Sequence, residues 1–242
     1  ECDAINLSQG FPDFDPPPRL VELVTQKMRE GVNQYAPMAG WPPLLQAIAA
    51  KVESLYARRV EADSEVTVTS GATEALFCAI HAVVRPGDEV ILLEPAYDSY
   101  EPAVELAGGR VVRVPLWRPH FGVDWQRVRD SMTSRTRLLI VNSPHNPTGA
   151  VFSEADLDAL GEVLGDSTVL VLADEVYERV YFGGAPGATP AAAPSFLDIA
   201  APDDRLVVVH SFSKSFLMTG WRLGWLVLPA GAMEAAGKLL EF

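Results

Sequence analysis

The chain has 242 residues, 48% of them hydrophobic, enough to bury one large core, or one domain and part of a second. Its formal net charge is -13, with 19 Lys and Arg against 32 Asp and Glu, which argues against nucleic acid, whose phosphates need concentrated positive charge. No apolar run approaches the ~20 residues of a membrane span. Cys2 and Cys78 are too few for a disulfide framework; Cys78 lies in a helix-like apolar run and reads as a buried free thiol, in keeping with a reducing cytoplasm. The sequence opens on Glu1 without an initiator Met or a signal-peptide pattern, so its true N-terminus is expected to be missing.

Residues 1–60 read as an arm: a proline-rich lead-in (Pro12, Pro16, Pro17, Pro18) and two helices over about 19–30 and 44–58. Trp41-Pro42-Pro43 is an unusual helix start, although a first turn tolerates proline. From 61 to 242 the pattern changes. β-Branched runs at 66–69, 90–93, 111–114, 138–141, 169–173, 206–209 and 224–228 predict seven strands. Amphipathic segments at 73–84, 100–107, 125–132 and 154–164 predict helices between them. Ser153, followed by Glu154 and Asp156, reads as the last helix's N-cap, with acidic residues favourably placed against the helix dipole. Alternating strands and helices give an α/β fold with a mostly parallel sheet, and 183–194, rich in Gly, Ala and Pro, reads as a surface loop.

In open α/β sheets ligands gather beyond the C-terminal strand ends, and those ends are chemically loaded here. The first strand runs into Ser70-Gly71-Ala72-Thr73, which is either a plain helix cap or a phosphate site on a helix N-terminus. The fourth runs into Asn142-Ser143-Pro144-His145-Asn146-Pro147-Thr148-Gly149, either an ordinary turn or a rigid loop offering the Asn146 amide to a ligand. His145 has no second His or Cys at ligand spacing, so no metal is expected. The fifth delivers Asp174 and Glu175 from an apolar run, with Tyr177 three residues on. A carboxylate there is costly unless it meets a cation, although a capping Asp and a core Tyr fit the same residues. The sixth ends in His210-Ser211-Phe212-Ser213-Lys214, where a partly desolvated lysine becomes a nucleophile.

Asn146-Pro147-Thr148-Gly149, Asp174-Glu175-Val176-Tyr177, and Ser211-Phe212-Ser213-Lys214 with Arg222, in this order and spacing, resemble the class I/II aminotransferases of pyridoxal 5'-phosphate fold type I. The resemblance covers the whole chain. The N-terminal stretches Ile5-Asn6-Leu7-Ser8-Gln9-Gly10-Phe11-Pro12 and Asn33-Gln34-Tyr35-Ala36-Pro37 are most similar to methionine aminotransferases and kynurenine or glutamine transaminases. The resemblance implies a three-layer α/β/α large domain over 61–242 and, over 1–60, an N-terminal arm with part of a small domain. It also implies truncation at both ends, with the C-terminal small domain and its substrate-carboxylate arginine absent.

By the family's pattern Lys214 is the Schiff-base lysine and proton shuttle, and Asp174 the partner of the ring nitrogen. Asn146 and Tyr177 bond the ring's phenolic oxygen, and Tyr97 stacks on its face. Arg222, Ser211, Ala72 and Thr73 hold the phosphate. Gly10 and Phe11, with Asn146, lie on the substrate side, and Tyr35 reaches the phosphate of a neighbouring subunit in a homodimer. The implied reaction transfers the amino group of methionine or an aromatic amino acid to a 2-oxo acid, in the cytoplasm. A carbon-sulfur β-lyase of the same fold is the alternative. The effector domain of a transcription regulator is disfavoured, because it needs a basic helix-turn-helix upstream.

Overall fold

The computed structural model describes residues 10, 12, 14–165, 167–183, 192–199, 205–229 and 232. All seven expected strands form: β1 (Val66–Thr69), β2 (Glu89–Glu94), β3 (Arg110–Pro115), β4 (Thr136–Asn142), β5 (Leu170–Asp174), β6 (Leu206–Ser211) and β7 (Gly224–Val227). The helices are α1 (Pro18–Arg29), α2 (Pro42–Tyr56), α3 (Gly71–Val83), α4 (Tyr100–Leu106), α5 (Trp125–Ser131), α6 (Glu154–Leu164) and the four-residue α7 (Phe212–Ser215). Trp41 is the N-cap of α2, with prolines in its first turn. Ser153 caps α6 in a full capping box with Asp156, so two orphan N–H groups are satisfied reciprocally. No described helix is long and apolar enough to cross a membrane.

The strands form one sheet in the order β1-β7-β6-β5-β4-β2-β3. β2 to β6 pair in parallel, whereas β7 runs antiparallel to both β6 and β1. Parallel neighbours need a long crossover, but the chain from β6 to β7 is short and simply doubles back. Alternate residues of the central strands feed two separate cores. Leu139, Val141, Val171, Ala173 and Trp225 pack with Leu45, Val52, Val128 and Leu157 of α2, α5 and α6. Leu138, Ile140, Leu172, Val209 and Leu226 pack with Leu76, Ile80 and Val104 of α3 and α4. The sheet is therefore covered on both faces, the condition for a mostly parallel sheet. Cys78 sits buried and free on α3. In contrast to α2, helix α1 buries no residue.

Register decides where the chemistry lies. Asn142 is paired with Asp174, while Gly224 lies opposite both Ser211 and Thr69. The ends of β1, β4, β5 and β6 and the start of β7 thus form one row. A Cβ on Gly224 would stand 2.7 Å from the Gly71 carbonyl carbon and 2.8 Å from the Ala72 nitrogen, so glycine lets β7 start directly against the N-terminus of α3.

Candidate active site

A cleft of about 780 Å³ opens along this row. At its floor Asp174, the last residue of β5, is 4% exposed. Its Oδ2 accepts a hydrogen bond from Tyr100 Oη at 2.7 Å, and its Oδ1 one from the Val176 N–H at 3.2 Å. Among the described residues no Lys, Arg or His pairs with it. Burial pushes its carboxyl up to about 6, against the two hydrogen bonds. The cation expected from the sequence is thus not supplied by a described side chain, and the carboxyl group borders the open cleft.

Lys214 lies on α7, immediately beyond β6. Ser211 caps this short turn, its Oγ accepting the Ser213 N–H at 3.0 Å and approaching the Leu223 carbonyl at 3.4 Å. The Lys214 Nζ stands 5.7 Å from the ring centroid of Tyr177, and both residues line the cleft. Asn146 reaches the same space from the loop after β4. That loop is organised by Asn142, whose Nδ2 donates to the Asp174 carbonyl at 2.8 Å and whose Oδ1 accepts the Asn146 N–H at 2.7 Å. His145 is buried in the loop, its Nδ1 2.8 Å from Thr148 Oγ1.

At the other end of the cleft the side chain of Ser70 makes no capping bond to α3, although the Glu74 carboxylate accepts the Ser70 N–H. Arg222 overhangs this terminus. A Cβ on Gly71, which has φ +80, would overlap the Arg222 guanidinium. Arg222 itself has φ 55, a conformation uncommon for a residue with a side chain and found more often where function fixes the backbone. Its Nη1 donates to the Thr219 carbonyl at 3.1 Å. Tyr97 stands edge-on to Tyr100, ring centroids 5.6 Å apart.

Of the residues expected from the sequence, Gly10, Ala72, Thr73, Tyr97, Asn146, Asp174, Tyr177, Ser211, Lys214 and Arg222 all line this cleft. Tyr35 does not; its side chain is fully exposed. Phe11 lies outside the described residues. Tyr100 and Asn142 were given no role from the sequence, because the bond each makes to the end of β5 joins residues 74 and 32 positions apart in the chain.

A half-buried amine, a buried carboxylate and a guanidinium above a helix N-terminus share one cleft, and the comparisons with known proteins agree with that arrangement. The family model for aminotransferase class I and II matches residues 3–242. The chain belongs to the class I and II aminotransferases. It is 49% identical over 239 residues to a methionine aminotransferase of Escherichia coli, covering 99% of this chain and 60% of that protein. It is 36% identical over 247 residues to kynurenine–oxoglutarate transaminase 1 of Mus musculus, covering 97% and 57%. A crystal structure of an Escherichia coli protein with a methionine aminotransferase function superposes with a TM-score of 0.92 at 47% identity, covering 98% of this chain and 61% of that one. The fold is therefore that of the fold type I aminotransferases, and the chain spans about 60% of the length of the methionine aminotransferase it matches.

Members of this family depend on pyridoxal phosphate. The residues present fit that group. The buried Asp174 suits a protonated ring nitrogen; Gly71 leaves the space that the Arg222 guanidinium fills above α3, where an anion is favoured by N–H groups and dipole together; and Lys214 lines the same cleft.

Proposed function

We propose that the protein is a pyridoxal-phosphate-dependent aminotransferase that moves the amino group of methionine, or of an aromatic or kynurenine-like amino acid, to a 2-oxo acid. The observation that carries this reading is the convergence of Lys214, Asp174 and Arg222 on one cleft. When bound, pyridoxal phosphate supplies an electron sink for the α-carbon of an amino acid. In this reading Lys214 is its covalent anchor and, once released, its Nζ carries the proton taken from the substrate α-carbon. Asp174 holds a proton on the ring nitrogen through an ion pair that offsets its own burial. The Arg222 guanidinium, the Ser211 hydroxyl and the α3 terminus at Ala72 and Thr73 bind the phosphate.

On the cofactor's remaining edges, the Asn146 amide and Tyr177 hydroxyl donate to the phenolic oxygen, and Tyr97 packs against the ring. Gly10 leaves room for the substrate carboxylate, and Phe11 edges an apolar side-chain pocket. The full exposure of Tyr35 supports a homodimer in which this hydroxyl serves the partner subunit's phosphate. We assign 61–242 to the cofactor domain and 1–60 to an arm with part of a small domain, in which α1 buries no residue; the setting is cytoplasmic.

The test is a donor panel with the pyridoxal-phosphate-loaded protein and a 2-oxo acid acceptor. Methionine, phenylalanine or kynurenine should exceed aspartate in kcat/KM by at least roughly tenfold. A preference for aspartate would overturn the substrate class, and ammonia with pyruvate from a cysteine conjugate would identify a β-lyase instead.

A further inference from the structure

The turn from Asp174 to Glu178 is two-sided. Asp174 and Tyr177 line the cleft, whereas Glu175 and Glu178 are 2% and 3% exposed and engage groups away from the cleft. Two buried carboxylates in one turn are costly unless each is fully partnered. Glu175 is partnered by Ser195 Oγ at 2.6 Å and the Phe196 N–H at 2.9 Å. The hydrogen-bond donors to Glu178 come from α2, more than 120 residues earlier in the chain, and His210 Nδ1 at the end of β6 lies 3.5 Å from its Oε2. Lys51 Nζ donates to its two oxygens at 2.6 and 2.8 Å, and Tyr56 Oη donates to Oε2 at 2.7 Å. Burial alone would raise the Glu178 carboxyl, yet His210, Lys51 and Tyr56 hold it below its usual range.

Lys51 also stands 5.0 Å from the ring centroid of Trp225 on β7, and Trp225 stacks at 5.0 Å on His210, the residue before Ser211. The ion pair thus touches the element after β5, the end of β6 and the start of β7, each of which presents residues to the cleft. A hydrophobic pair of similar volume would stabilise such a core as well or better. What a carboxylate held by three hydrogen bonds from two side chains adds is a fixed direction for the turn, and Tyr177 is the adjacent residue.

We propose that Lys51 and Glu178 form a buried clamp, completed by Tyr56, that positions the Tyr177 hydroxyl in the cleft and so tunes the bound cofactor from outside it. This rests on the reading of Tyr177 as a cofactor-binding residue, and the test separates the two. The pH titration of the absorbance of bound pyridoxal phosphate is followed in the parent protein, in Tyr177→Phe, in the paired neutral replacement Lys51→Met with Glu178→Gln, and in all three together. The paired replacement removes both charges while keeping a partner for the Tyr56 hydroxyl.

The paired replacement should shift the midpoint in the same direction as Tyr177→Phe, by at least about half a pH unit, a threefold change in proton affinity. The triple variant should shift no further than Tyr177→Phe alone, because contacts acting through one group are not additive. Lys51→Arg, which keeps the charge, should stay near the parent midpoint. An unmoved midpoint in the paired variant, or a triple shift equal to the sum, would overturn the clamp while leaving Tyr177 its role. An unmoved midpoint in Tyr177→Phe removes that role and the clamp with it. If the paired variant does not fold, Tyr56→Phe, which deletes one donor to Glu178, carries the same test with a smaller shift in the same direction.

Discussion

Asp174 shows what one residue's surroundings decide. Its carboxyl is buried, borders the cleft and is held by Tyr100 and the Val176 N–H alone among the described groups, so it gains most when a cation arrives. Asp174→Asn keeps the shape and removes the charge. Single-turnover α-proton removal from a donor amino acid should then slow by roughly 100-fold or more while the fold persists, as when a preorganised charge is deleted from an active site. A near-parent rate would refute the ion pair. Asp174 and Lys214 stood out in the sequence because a charge that ends an apolar strand, or follows one within three residues among Ser and Phe, is anomalous in itself. Tyr100 was not, since a tyrosine opening a helix is ordinary until the fold brings it 2.7 Å from a carboxylate 74 residues away.

At the scale of elements, β-branched apolar runs located all seven strands to within a residue or two, and the strand–helix alternation pointed to the parallel core. The reversal of β7 was not legible, because a strand's apolar pattern is the same in either direction and only its pairing with β6 and β1 distinguishes them. Nor was the contact between β7 and α3, which depends on two glycines far apart in sequence meeting in space. Gly71→Ala tests the neighbouring approach of Arg222 to the start of α3. It puts a Cβ into the Arg222 guanidinium at a backbone φ of +80, a conformation costing about 1 to 2 kcal/mol with a side chain. Displacing Arg222 should weaken pyridoxal phosphate binding about tenfold or more in a fluorescence titration, since a charge-assisted bond is worth ~1.5–3 kcal/mol. Unchanged affinity would remove Arg222 from the phosphate site.

For the molecule as a whole, the buried groups set how stability responds to pH. Burial raises Glu175 from 4.5 to about 8, against its bonds from Ser195 and Phe196, so the folded state keeps a proton that the unfolded chain releases. Between those values stability falls as pH rises, by up to about 1.4 kcal/mol per pH unit. His210, lowered by burial from 6.5 to about 4, acts in the opposite sense, but only below 6.5. Urea unfolding of the cofactor-free protein should therefore show stability declining from pH 6.5 to 8, and Glu175→Gln should flatten that decline; an unchanged slope would assign it elsewhere. The central claim, that the whole cleft is built around a cofactor anchored on Lys214, is tested most directly by reducing the pyridoxal-phosphate-loaded protein with borohydride and mapping the labelled peptide. The pyridoxyl group should be found on Lys214; a label on Lys27, Lys51 or Lys238 instead, or no label at all, would contradict the account.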